Sequence, residues 1–305
     1  MKKIVLKTNN LSKRYGKYLA ANNINIEIKR GEIYGLIGKN GAGKTTLLKM
    51  ITGLTVPSSG EIELFGETSV SGLNNSRMRT GAIIESPSFF PYLSAKKNLE
   101  HYRIQRGVAE KKFVDEVLQF VGLQSVGNKK FRDFSLGMKQ RLGLALTLLS
   151  SPDLLILDEP INGLDPTGII EFREILLKLN RERNITIIIS SHILEELSQL
   201  ATTYGFINNG KLIEQISVEE LKEKFKKSIS IKVDDAKKAS TIIENQLKCN
   251  KYEILPNNEI KLYEKIDIPD IVNKTLVENG VMVSSINQVS VNLEDYFIDL
   301  VGGVN

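Results

Sequence analysis

The sequence predicts an α/β fold: a mostly parallel sheet covered by helices on both faces, with a smaller α+β unit after it. Three observations carry this. Strand-like and helix-like segments alternate through the first two thirds of the chain. The runs Leu154–Leu157 and Ile185–Ile189 are continuously apolar rather than alternating, as in parallel strands buried on both faces. Finally, Gly38-Lys39-Asn40-Gly41-Ala42-Gly43-Lys44-Thr45 matches G-x-x-x-x-G-K-[ST] between an apolar strand and an apolar helix.

In chain order, short strands are expected at 25–28, 33–37, 62–65, 82–85, 154–157, 186–190 and 204–208, with Gly31, Gly60 and Gly210 marking turns. A helical stretch from Leu93 to Phe120 separates two groups of strands and places a helical subdomain at about residues 90–150. The composition shifts near Leu221, where LKEKFKK (221–227) reads as a polar helix end or linker. Beyond it come a strand at 228–233, a helix at 236–247, strands at 252–255 and 260–263, a helix at 268–279 and a strand at 281–289. That βαββαβ order is the ferredoxin-like split unit. An amphipathic helix, 293–301, closes the chain, and the division expected is residues 1–220 and 221–305.

Composition narrows the function classes. With 305 residues the chain can bury a sizeable core, and 41% hydrophobic with 25% charged residues is ordinary for a globular protein. The single cysteine, Cys249, rules out a disulfide framework within the chain and fits a reducing compartment. The net charge of +5 is consistent with a lysine-rich solvated surface, or with attraction to anionic headgroups or nucleic acid. The N-terminal segment lacks an apolar stretch of signal-peptide length, and the longest apolar runs are too short to span a bilayer. Work at a membrane would therefore need other chains to cross it.

The glycine-rich motif supplies a phosphate cradle. Gly38 opens the motif, Gly41 and Gly43 allow close backbone approach, and the N–H groups of Asn40 to Thr46 form an anion nest at a helix N-terminus. Lys44 is expected on the β- and γ-phosphates, and the Thr45 hydroxyl on Mg²⁺. Leu154-Leu155-Ile156-Leu157-Asp158-Glu159-Pro160 is an apolar strand ending in two acids at the sheet edge where α/β folds bind ligands. Asp158 is placed to hold Mg²⁺, and Glu159 to orient and deprotonate the attacking water. ATP and Mg²⁺ are the expected cofactors.

From about residue 4 to 220 the sequence resembles the nucleotide-binding subunits of ABC transporters. Phe134-Ser135-Leu136-Gly137-Met138-Lys139-Gln140-Arg141 is similar to the ABC signature, Gly163-Leu164-Asp165-Pro166 to the D-loop, and His192 to the switch histidine. Tyr15 sits where the family stacks an aromatic ring on adenine. The resemblance implies a P-loop NTPase with a RecA-like core, an antiparallel β subdomain and a helical subdomain. It implies an ATPase that dimerises around ATP, each site completed by Ser135 and Gly137 of a second copy, with Asp165 nearby. The partners it implies are that second copy and integral membrane permease subunits, with no nucleic acid. The expected location is the cytoplasmic face of the cell membrane, reached through the permease.

The sequence also departs from the family pattern. Where the signature usually reads L-S-G-G-Q, the chain has Phe134, Ser135, Leu136, Gly137 and Met138. Where the family carries glutamine after a strand, Ala82-Ile83-Ile84-Glu85-Ser86-Pro87 places Glu85, a carboxylate that could ligate Mg²⁺ or be a tolerated variant. Glu85, the signature and the ending LEDYFIDLVGG together resemble the ATPases of bacitracin and lantibiotic resistance and immunity exporters. That implies export of antimicrobial peptides. An exporter ATPase for another drug, ion or lipid stays open, because the membrane chains select cargo. A soluble ABC ATPase acting on ribosomes or DNA is the distant alternative, disfavoured by the single cassette and the lack of a long coiled coil. The C-terminal unit reads as a packing or dimer-stabilising appendage, or as a regulatory one.

Overall fold

The computed structural model describes residues 3–85, 88–224, 228–289 and 293–302. Ser86 and Pro87 of the Glu85 motif, Phe225 to Lys227 of the expected linker and Gly303 of the C-terminal motif lie outside them. The chain divides into two compact units, Met1–Val218 and Glu219–Asn305.

The first unit opens with β1 (Ile4–Tyr15), β2 (Tyr18–Ile24), β3 (Glu27–Lys29), β4 (Ile33–Ile37), α1 (Lys44–Ile51), β5 (Ser59–Leu64), α2 (Val70–Met78) and β6 (Thr80–Ile83). It continues with α3 (Ala95–Gln105), α4 (Lys112–Phe120), α5 (Leu136–Leu148), β7 (Leu154–Asp158), α6 (Pro166–Arg183), β8 (Thr186–Ser191), α7 (Leu194–Ser198), β9 (Thr203–Asn208) and β10 (Lys211–Ser217). A six-stranded sheet runs β10-β9-β4-β8-β7-β6, parallel apart from the antiparallel β10 at its edge. Its central strands are the continuous apolar runs: Leu154 to Leu157 and Ile187 to Ile189 are fully buried, as is nearly all of β4. Each such aliphatic side chain contributes about 1.5–3 kcal/mol on burial. A second, antiparallel sheet pairs β1 with β2, β3 and β5.

Strands β1, β2 and β10 do not stand out in the sequence. In β1 the alternation of buried and exposed positions is broken at Asn9-Asn10, where Asn10 takes φ 48° and the pairing register shifts. A bulge there lets one strand serve two sets of neighbours and erases its period of two. The helix expected over Leu93 to Phe120 is broken into α3 and α4, because Gly107 takes φ 67° and its N–H and that of Val108 close the end of α3 on Ile104 and Arg103 carbonyls.

The second unit begins within α8 (Val218–Lys224) and continues with β11 (Ser228–Val233), α9 (Ala236–Asn245), β12 (Tyr252–Leu255), β13 (Glu259–Leu262), α10 (Pro269–Glu278), β14 (Val283–Val289) and α11 (Leu293–Gly302). Its antiparallel sheet has the order β12-β13-β11-β14, the ferredoxin-like arrangement. Ile229, Ile231 and Val233 of β11 alternate inward and pack with Ile260, Leu262, Ala239, Ile243, Val272 and Leu276. Cys249 is buried in the same core, and burial pushes its thiol pKa up.

Candidate active site

The loop between β4 and α1 forms the wall of a cleft of about 290 Å³ lined by Tyr18, Ala20, Asn40 to Thr46 and Glu159. Two glycines are obligatory here for different reasons. Gly43 takes φ 106°, and a Cβ on it would stand 2.5 Å from the Ala20 carbonyl oxygen. Gly38 would press a Cβ to 2.4 Å from the Ile207 carbonyl oxygen of β9. Gly43 caps α1 without a side-chain acceptor, so the first-turn N–H groups of the helix face the cleft unsatisfied by any cap. Gly43→Ala is therefore expected to destabilise the fold by about 1–3 kcal/mol and to weaken nucleotide binding, checked by thermal melting with and without ATP.

Lys44 reaches into this loop from the first residue of α1 and is only 4% exposed. Its ammonium donates to the carbonyls of Gly38 at 2.7 Å and Lys39 at 3.3 Å and pairs with Glu159 Oε1 at 3.1 Å. A buried cation is tolerable only with such partners. One residue on, Thr45 Oγ1 donates to Asp158 Oδ2 at 2.6 Å.

The two acids at the end of β7 are held by a network that the sequence does not announce. The Ser190 hydroxyl of β8 donates to Asp158 Oδ1 at 2.6 Å and accepts from the Glu159 N–H at 2.9 Å, so one serine holds the Asp158 carboxylate and the backbone of Glu159. Glu159 takes φ 45°, a left-handed conformation uncommon for its type. Its second carboxylate oxygen lies 3.1 Å from His192 Nδ1 and accepts from Asn162 Nδ2 at 3.3 Å. Lys44, Thr45, Asp158, Glu159 and His192 thus converge at the C-terminal edge of the parallel sheet.

Other predicted residues lie apart from that centre. The ring lining the cleft is Tyr18; Tyr15 lies across the Gly16-Lys17 turn, half exposed, with the Lys13 ammonium 5.1 Å from its ring centroid. Ser135 caps α5, its hydroxyl accepting from the Met138 N–H at 3.3 Å, and neither it nor Gly137 lines the cleft. Asp165 is the N-cap residue of α6 and is exposed. Within the chain the signature leans on the D-loop: a Cβ on Gly163 would stand 3.2 Å from Leu136 Cδ2.

Glu85 follows β6 with an exposed side chain and φ 65°. Its carboxylate accepts from Lys49 Nζ at 2.7 Å. That hydrogen bond holds the Glu85 carboxyl below the usual carboxylate range and the Lys49 ammonium above its own.

Sequence reasoning passed over Tyr18, Lys49, Asn162 and Ser190. Asn162 and Lys49 have a local signal in their spacing, three residues after Glu159 and four after Thr45, the latter being one helical turn. Ser190 has none.

The donor set fits a magnesium ion that arrives with a nucleotide. Thr45 and Asp158 offer a hydroxyl and a carboxylate in contact, and Mg²⁺ takes one or two protein oxygens beside phosphate and water. Among the described residues no group of three or more His, Cys, Asp and Glu could cage a metal without the nucleotide.

Residues 21–162 match the ABC transporter family, a span that holds the cradle, the signature and the acidic strand. The bacitracin transport ATP-binding protein BcrA of Bacillus licheniformis is 44% identical over 299 residues, covering 98% of each chain. The chain belongs to the ABC transporter ATP-binding proteins. The lantibiotic transport ATP-binding protein SrtF of Streptococcus pyogenes is 46% identical over 229 residues, 74% of this ABC ATPase and 97% of that chain. In structure, cbiO1 of Clostridium perfringens, part of the transporter complex cbiONQ, matches with a TM-score of 0.66 at 27% identity over 81% of this chain and 97% of its own. The ABC ATPase therefore binds and hydrolyses ATP, and its cleft is that of a P-loop cassette. Among its described residues no helix is long and apolar enough to cross a membrane.

Proposed function

We propose that this ABC ATPase powers the export of antimicrobial peptides of the bacitracin or lantibiotic type through separate membrane permease subunits. The observation that carries the reading is the near full-length identity to BcrA, which includes the C-terminal unit as well as the cassette. In cells, deletion of the chain is expected to raise sensitivity to bacitracin or a lantibiotic. Restoring the chain should recover resistance only with its permease. Unchanged sensitivity to both peptide classes would turn the reading towards another cargo.

At the site, Lys44 and the N–H groups of Asn40 to Thr46 bind the β- and γ-phosphates, and the half-exposed Tyr15 ring, across the turn from the Tyr18 that lines the cleft, offers a face to the base. Thr45 and Asp158 hold Mg²⁺, which when bound neutralises charge on the phosphate oxygens. Glu159 accepts a proton from the attacking water as its oxygen bonds to the γ-phosphorus and the bond to ADP breaks. His192, against the same carboxylate, keeps Glu159 oriented toward that water.

The cleft of one copy is completed by a second. Ser135 and Gly137 stand at the N-terminus of α5, exposed or half-buried and away from the cleft of their own chain. Presented by a second copy, they add N–H donors and a hydroxyl to the γ-phosphate. The ATPase rate is then expected to rise faster than linearly with protein concentration. A strictly linear rate over a range where sizing shows monomer would sink the shared site.

A further inference from the structure

Lys49 lies one helical turn from Thr45 and pairs with Glu85, and neither lines the cleft. The parallel pairing of β6 with β7 sets Ile83 opposite Leu157. Glu85 comes two residues after the end of β6 and Glu159 directly after β7, and both glutamates take left-handed backbone conformations, at φ 65° and φ 45°. Lys49 lies four residues after Thr45 on α1, one turn along the same face. Its ammonium is 2.7 Å from Glu85 Oε1, and the Asp158 charge also acts on it. Side-chain exposures of 32% for Lys49 and 69% for Glu85 make this a surface pair, of little weight in fold stability. Its effect is on the field: the Glu85 carboxylate is paired with a cation that the Asp158 charge also reaches, one turn along α1 from Thr45.

We propose that Lys49 is a positioning residue of the ATPase site: through its ion pair with Glu85 it neutralises a carboxylate that would otherwise repel the nucleotide's phosphates. The inference rests on the placement of the β- and γ-phosphates at Lys44 and the cradle N–H groups given above. It makes the tolerance of an acid at position 85 a property of two residues rather than one.

The test is a charge-neutralising cycle read as binding of the fluorescent analogue mant-ATP, in EDTA so that no metal contributes, with Lys44→Ala as the control for the site itself. Lys49→Met is expected to weaken binding by about three- to tenfold, because the Glu85 charge is uncovered. Glu85→Gln is expected to tighten it, because Lys49 is freed to face the phosphates. Lys49→Met with Glu85→Gln together should return affinity to within about twofold of wild type, and Lys49→Arg should keep it. Raising salt from about 0.05 M to about 0.5 M should shrink the Lys49→Met penalty, as a packing defect in α1 would not. The proposal is overturned if the double variant stays as weak as Lys49→Met, or if Glu85→Gln weakens binding. Should Lys49→Met fail to fold, the Glu85→Gln arm still decides. If Lys44→Ala binds mant-ATP normally, the phosphate placement is wrong, a failure separate from that of the Lys49–Glu85 pair.

Discussion

Glu159→Gln is expected to keep ATP bound while slowing hydrolysis by roughly 10²–10⁴-fold. The amide preserves shape, so contacts from Asn162 Nδ2 and the backbone bond to Ser190 can persist. What disappears is the basic oxygen that takes the proton from water, together with the charge that faces Lys44 and His192. The nucleotide-bound dimer should therefore accumulate, visible by size exclusion with ATP and by single-turnover assays. Normal turnover in this variant would assign water activation to another group.

Lys44→Ala is expected to fail at the earlier step. Hydrogen bonds to charged groups contribute about 1.5–3 kcal/mol each, so removing the ammonium should weaken ATP binding by about 10- to 100-fold. It also strips Gly38 and Lys39 of their carbonyl partner and leaves Glu159 without its buried cation. Equilibrium binding of mant-ATP separates the two variants: Glu159→Gln binds and stalls, whereas Lys44→Ala does not load. If Lys44→Ala bound like wild type, the placement of the ground-state phosphates at Lys44 would be wrong.

How much of this was legible in the chain follows from sequence separation. The cradle is contiguous, and each residue has a local reason for its type: Gly43 for a left-handed turn under a carbonyl, Lys44 for phosphate, Thr45 for the metal. The apolar strand that delivers Asp158 and Glu159 is equally local, since a strand buried on both faces must be apolar throughout. The βαββαβ order of the C-terminal unit is readable because β11 alternates cleanly and its helices have apolar faces. Strand β1 was not readable, because its bulge at Asn10 removes the alternation that would mark it.

The sequence by itself therefore determined the α/β class, the phosphate cradle, the paired acids, the family and the kind of nucleotide handled. Each depends on neighbouring residues whose chemistry and backbone preferences are visible together. Only the tertiary structure decided which tyrosine faces the cleft, which serine holds the Asp158 carboxylate and the Glu159 backbone, and which lysine answers Glu85. Ser190 lies 32 residues from Asp158, and Lys49 lies 36 residues from Glu85. Such pairs exist because β7 lies between β6 and β8 and α1 runs back past their ends, and strand order and register are set by packing of the whole sheet rather than by any local preference.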